Sequence, residues 1–300
     1  MNHITQSIGI GVLALMATVG AFGGGVYAAV RVSPQHLSAA AAGAEQPNVT
    51  TVALDPSRLE ARAAVLYDVG SGRVLYQKNA NEALPLASLT KLMAAQTVLS
   101  RKDPTTPVLI TKDDVRSEGD SGLQVGETMP LGDLISLALV ASSNDAITAA
   151  ASALGADPIE KMNAAARELG LTQTHFNNPT GLDVSASVSG AYGSCFDVAR
   201  LASLFYTNYP EFFELTTLPD VRVDGGAKKE ITLPATTLPL QNIPGFVAAK
   251  TGYTDLAGGN VVALFDLEPG RTVAAVVLGS THEGRFSDIR MLIEAARKSL

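Results

Sequence analysis

Residues 84–99 read LPLASLTKLMAAQTVL, and the reading of this stretch decides the rest of the chain. Its leucines, alanines and methionine ask for a buried helix. Yet it begins with a hydroxyl, Ser88, and an amine, Lys91, three residues on. One account is local: serine is a favoured helix N-cap, its oxygen accepting from an unpaired backbone N–H. The other is chemical. Residues i and i+3 share a helix face with Cβ atoms about 5–6 Å apart. Lys91 can then take the proton of Ser88 and make it a nucleophile. A Ser-x-x-Lys spacing arises by chance roughly once in a chain of this length, so the stretch alone leaves both accounts open.

Outward from it, periodicity predicts the surrounding elements. Upstream, ARAAVLYDVGSGRVLYQKN (61–79) reads as a hairpin turning at DVGSG. Downstream come helical patterns at 131–140, 145–154, 158–169 with Gly170 just beyond, and 192–206. After residue 210 the texture changes to short β-branched runs, VAAKTGY, NVVALFD and TVAAVVLGS, which read as strands of one sheet. SDIRMLIEAARKSL closes the chain as an amphipathic helix with Ser287 as its expected N-cap. Strands, then helices, then strands and a helix predict an α/β fold of α+β type. In it an antiparallel sheet built from both chain ends is flanked by helices and carries an inserted all-helical subdomain.

The chain has 300 residues, is 46% hydrophobic and 17% charged, and carries a net charge of −7. That allows a large core and gives no electrostatic case for nucleic acid. The one cysteine, Cys195, excludes an internal disulfide. IGIGVLALMATVGAFGGGVYAAV (8–30) holds no charged side chain and is long enough to span a bilayer as a helix. It reads as a signal peptide or an N-terminal membrane anchor, and both place the remainder outside the cytoplasm. Residues 31–54 read as an Ala- and Ser-rich linker, and 55–300 as the folded domain.

Two further fragments bear on Ser88. ASSNDA holds Ser142 and Asn144 at the junction of two helical patterns, and AAKTGYT holds Lys250, Thr251 and Gly252 at the end of an apolar strand. A Lys-Thr-Gly triplet is expected in fewer than about one chain in ten. S-x-x-K, S-x-N and K-T-G occur here in the order shared by serine β-lactamases and penicillin-binding proteins. Longer blocks carry the likeness further: VLYQKNANEALPLASLTKLMAA, SGLQVGETMPLGDLISLALVASSNDAITAAA, MNAAARELGLTQTHFNNPTGLD and KTGYTDLAGGNVVA. Over residues 60–296 the chain resembles the low-molecular-mass D-alanyl-D-alanine carboxypeptidases, with a β-lactamase/transpeptidase-like fold.

The resemblance implies an acyl-enzyme on Ser88, formed from the D-Ala-D-Ala end of a peptidoglycan stem peptide, with β-lactam antibiotics as covalent inhibitors and no cofactor or metal. It implies Lys91 as the base, Ser142 as a proton relay and Asn144 as a holder of Lys91 and the substrate amide. Lys250, Thr251 and Gly252 would bind the substrate's carboxylate end. The N–H groups of Ser88 and Tyr253 would bind the oxyanion. Arg285, in STHEGRFSD, sits where the family has an arginine near that carboxylate; the other reading is a surface arginine on the last helix.

Rival readings are a DD-endopeptidase, a β-lactamase-like hydrolase, a wall-binding module and a thiol dyad of Cys195 with His175. A class A β-lactamase needs a Glu-x-x-x-Asn element; the nearest stretch, EKMNAA, sets Glu160 and Asn163 only three apart in a helical pattern. Slow penicillin hydrolysis is therefore expected. The domain ends directly after its closing helix, so any membrane attachment is expected from residues 1–30.

Overall fold

The computed structural model describes residues 52–116, 122–224 and 230–299. The apolar segment 8–30 and most of the expected linker lie outside them. In chain order the strands and helices are β1 (Ala63–Asp68), β2 (Val74–Lys78), β3 (Leu84–Pro85), α1 (Thr90–Leu99), β4 (Pro107–Leu109), β5 (Thr128–Pro130), α2 (Leu131–Val140), α3 (Asn144–Ser152), α4 (Pro158–Glu168), β6 (His175–Phe176), β7 (Ala191–Gly193), α5 (Cys195–Asn208), α6 (Pro210–Phe213), β8 (Asp220–Asp224), β9 (Glu230–Pro234), β10 (Phe246–Thr254), β11 (Gly258–Glu268), β12 (Arg271–Ser280) and α7 (Gly284–Lys298).

The main sheet runs β10-β11-β12-β1-β2 and is antiparallel throughout. It joins both ends of the domain, as expected. The β1–β2 turn forms because Asp68 accepts from Ser71 N at 2.9 Å, and Gly72 takes the left-handed φ of 71° that closes it. Side chains alternate across the sheet. Ala64, Leu66, Val261, Ala263, Val273 and Val277 pack against α7 through Ile289, Leu292 and Ile293. Val65, Val262, Leu264, Val276 and Leu278 face the helical side. With both faces covered, β11 and β12 read as near-continuous apolar runs, which is why their type was legible. Asp288 of α7 locks the ends together. It is fully buried and accepts from Glu60 N, Ala61 N and Ser280 Oγ at 2.8–3.0 Å.

On the helical side every residue of α1 is buried. It contacts α2, α3, α4 and α5, as an apolar central helix must. Four expectations need correction. The inserted region is not all helical: β3-β7-β6, β4-β5 and β8-β9 form small sheets of their own. β3 to β7 are two or three residues long, too short for a period-2 signal, whereas five-residue β8 does alternate as DVRVD. α5 starts at Cys195 rather than 192, because Ser194 caps it by accepting from Asp197 N. Ser287 lies inside α7 and donates to Gly284 O instead of capping. The folded unit has begun by Val52, which is buried and donates its N–H to Leu75 O at 2.9 Å, so the end of the expected linker is part of the domain.

Candidate active site

The chain enters α1 through a 3₁₀ turn, Ala87–Leu89. Ala87 has φ 48°, a left-handed conformation that a non-glycine residue holds only when its surroundings impose it. Ser88 caps nothing: neither the turn nor α1 has a side-chain cap. Its Oγ instead lies 2.7 Å from Lys91 Nζ, which donates to it. Lys91 is fully buried, and its Nζ also donates to Asn144 Oδ1 at 2.7 Å and Thr180 O at 3.0 Å. All three donor positions of the ammonium are filled.

The partners are positioned by local devices. Ser143, not Ser142, caps α3 by accepting from Ala146 N at 3.0 Å, which sets Asn144 at the helix start. Ser142 is left outside the helix at φ 62°. Thr180 is held by Asn178, whose Oδ1 accepts from Thr180 N at 3.2 Å and Gly181 N at 2.7 Å. Gly181 has φ 81°, and a Cβ there would stand 1.8 Å from Ala87 O, so only glycine lets this loop lie on the Ser88 turn.

The opposite wall is β10, an edge strand. Lys250 is fully buried, and its Nζ donates to Ser142 Oγ at 2.8 Å and Thr251 O at 2.9 Å. Thr251 Oγ1 donates to Thr236 Oγ1 at 2.7 Å, and Thr236 N donates to Val140 O at 3.0 Å, which joins β10 to the end of α2. Gly252 packs on the Ser88 turn, where a Cβ would lie 3.0 Å from Ser88 N. The peptide after Gly252 is thus brought beside the Ser88 N–H. Tyr253 is 49% exposed, and its ring meets that of His282 edge-on at 5.0 Å.

Arg285 is 6% exposed, which overturns the surface reading of this residue. From the first turn of α7 its Nη1 donates to Gly252 O at 2.7 Å. Asn260 fastens the two walls. Fully buried, it donates from Nδ2 to Pro85 O and accepts at Oδ1 from Gly279 N, both at 2.8 Å.

The electrostatics follow from burial. Desolvation disfavours the charged amine and pulls Lys91 down to about 7. Burial and a nearby cation were both expected to do this; for Lys91 burial accounts for the lowering. Lys250 is lowered well below the ordinary lysine range, first by burial and then by the positive charges of Lys91 and Arg285. Two buried amines lowered in this way are set to release a proton or to take an anion.

Direct hydrogen bonds thus join Ser88, Lys91 and Asn144 in one group and Ser142 and Lys250 in another, with Thr251 and Gly252 following Lys250 along β10 and Tyr253 and Arg285 at its open end. The sequence reading missed Thr180, Thr236 and Asn260. They lack a short spacing signal, because two act through backbone partners far away in sequence. The rival constellations do not form. Cys195 is fully buried, and burial pushes its thiol well up, while His175 is exposed. Glu160 pairs with Arg167 on the exposed face of α4, and Asn163 holds both backbone groups of Phe176.

Known proteins share this arrangement of elements. A family described as D-alanyl-D-alanine carboxypeptidase matches residues 48–282. The D-alanyl-D-alanine carboxypeptidase DacF of Bacillus subtilis is 31% identical over 246 residues, 79% of this chain and 62% of that protein. The chain therefore spans less than two thirds of that relative's length. A D-alanyl-D-alanine endopeptidase of Haemophilus influenzae is 31% identical over 217 residues, 70% of this chain and 72% of its own. Among solved structures, penicillin-binding protein D2 of Listeria monocytogenes in its ampicillin-bound form superimposes with a TM-score of 0.69 at 33% identity, covering 79% of this chain and 97% of that one. With its three motifs on one cleft and most of its length matched, this chain belongs to the D-alanyl-D-alanine carboxypeptidase family.

Proposed function

We propose that this protein removes the terminal D-alanine from peptidoglycan stem peptides through an acyl-enzyme on Ser88. The observation that carries the reading is the fully buried Lys91, its amine lowered to about 7 and held 2.7 Å from Ser88 Oγ. A serine hydroxyl is a weak nucleophile and needs an adjacent base. When Lys91 is neutral, the same contact reverses and Ser88 donates to it. Asn144 and Thr180 then fix the amine's direction, which supplies orientation without motion.

The substrate's terminal carboxylate meets Lys250 and Thr251. That anion restores the charge of Lys250, and the restored charge holds Lys91 neutral. Oγ of Ser88 attacks the penultimate carbonyl. Its proton passes to Lys91; Ser142 gives its own hydroxyl proton to the leaving amine of D-alanine and takes one in return from Lys250, which donates to it. The N–H groups of Ser88 and Tyr253 take the oxyanion. Water then cleaves the acyl-enzyme. β-Lactams enter the same path and stall at the acyl-enzyme, since neither Glu160 nor Asn163 reaches the cleft. The charge-free stretch 8–30 supports a place outside the cytoplasm, with membrane attachment through that segment when it is retained.

The test is D-alanine release from an acyl-D-Ala-D-Ala peptide by the full chain and by Ser88→Ala. Release by the first and none by the second is expected. Cleavage of a cross-linked dimer without release from the linear peptide would shift the reading to an endopeptidase, and rapid nitrocefin turnover would shift it to a β-lactamase.

A further inference from the structure

We infer that Arg285 positions the oxyanion-binding peptide: by gripping the carbonyl of Gly252 it aims the N–H of Tyr253 at the acyl oxygen formed on Ser88. This rests on the hydrolase reading above and departs from the expected role of Arg285 beside the substrate carboxylate.

Gly252 C=O and Tyr253 N–H belong to one peptide unit. No cis peptide bond is present among the described residues, and in a trans unit the two groups point opposite ways. Holding the carbonyl on one side of β10 therefore sets the N–H on the other. β10 is an edge strand, so one of its sides is free of a neighbouring strand and faces the Ser88 turn. The hold is strong. Nη1 lies 2.7 Å from Gly252 O in a buried setting, a charge-assisted bond. Such a bond also polarises the amide and strengthens its N–H as a donor.

The route of the side chain is built for this contact. Arg285 runs from α7 across Gly259, the residue paired with Tyr253. A Cβ on Gly259 would stand 3.3 Å from Arg285 Cδ and 2.0 Å from Thr281 O. The missing side chain is what leaves room for the arginine stem. The rest of the side chain is buried. Nη2 lies 3.3 Å from His282 Nε2, Cζ lies 4.7 Å from the centre of the Phe286 ring, and among the described residues the buried Nε has no partner.

The test compares the full chain with Arg285→Met, which keeps the stem and removes the fork, and Arg285→Lys, which keeps a charge and one donor. Acylation is followed with benzylpenicillin and with its methyl ester, which lacks the carboxylate. The acyl-enzyme's carbonyl stretch is recorded by infrared difference spectroscopy. For Arg285→Met, acylation by both compounds should fall by a similar factor, about 10- to 100-fold. The carbonyl stretch should move to higher frequency, because a weaker hydrogen bond leaves a stiffer C=O. Arg285→Lys should recover part of both, and it carries the same comparison if the Met variant does not fold. Loss confined to benzylpenicillin with an unmoved stretch would overturn the inference in favour of a carboxylate ligand. Unchanged rates for both compounds would overturn it outright. Failure of the wild-type chain to acylate with either compound would overturn the hydrolase reading itself, and this inference with it.

Discussion

Lys91 and Lys250 are both fully buried, yet they are held in opposite ways. Lys91 sits in the helical wall. Its three partners, the Ser88 hydroxyl, the Asn144 amide oxygen and the Thr180 carbonyl, are neutral acceptors that fill every donor position. Lys250 sits on the sheet edge with two partners, Ser142 Oγ and Thr251 O, and a third donor position that has no partner among the described residues. The first arrangement fixes the direction of an amine that burial has already lowered to about 7. The second leaves a donor position open to an anion, the partner that would restore the charge burial and its positive neighbours disfavour. The lesson is that residue type and burial do not fix the role of a lysine; the number of its partners and its neighbours' charges do.

Arginine substitutions separate the two roles most sharply, since a guanidinium keeps its charge and cannot act as a base. Lys91→Arg should lower D-alanine release by on the order of 10³- to 10⁴-fold, as loss of a catalytic base does. Lys250→Arg should retain activity within about tenfold, whereas Lys250→Met should cost about 10- to 100-fold, read mainly in KM, by removing a charged hydrogen bond. Equal losses for Lys91→Arg and Lys250→Arg would erase the distinction.

The pH profile is the next lever. Lys91 must be neutral to accept a proton, so kcat/KM should fall about tenfold per pH unit below about 7 and level off above it. The same lowering bears on stability. The unfolded amine holds its proton up to the ordinary lysine value of 10.5, while the folded one releases it near 7. The unfolded state therefore binds more protons between these limits, and stability should rise with pH across that window. An activity limb displaced to pH 9 or above would break the base assignment.

Two structural substitutions give smaller effects and differ by wall. Asn260→Ala removes the clamp between Pro85 and Gly279 and should cost about 2–3 kcal/mol in denaturant unfolding, because it strands a buried donor and a buried acceptor. Ser143→Ala removes only the cap of α3 and should cost about 1 kcal/mol. A larger loss from the cap than from the clamp would mean that the helical wall, not its junction with the sheet, limits stability.

The legibility of the molecule divides along the same line. Helix α4 fell where apolar periodicity set it, because it buries one face and is followed by Gly170, and α2, buried over nearly its whole length, showed as an apolar run. Strands β10 to β12 showed as apolar runs because helices cover both faces of their sheet. The short strands β3 to β7 did not show, since two or three residues carry no period. Ser287 misled because a serine near a helix start is common whether or not it caps. Thr180 and Asn260 stayed hidden because Thr180 acts through its backbone carbonyl and Asn260 through contacts 175 and 19 residues away.

By itself the sequence determined the chemistry: three short motifs in a fixed order name a serine, a lysine base candidate, a second serine and a basic strand end. Only the tertiary structure decided how that chemistry is tuned. The local spacing in Ser88-x-x-Lys91 brings a hydroxyl and an amine together in any helix, but it cannot lower the amine to about 7. That takes complete burial, which depends on α1 being surrounded by helices from distant parts of the chain. Arg285 makes the same point from the other side: its sequence context placed it on a surface or against a substrate, and the missing side chain of Gly259 gave it a path to a backbone carbonyl.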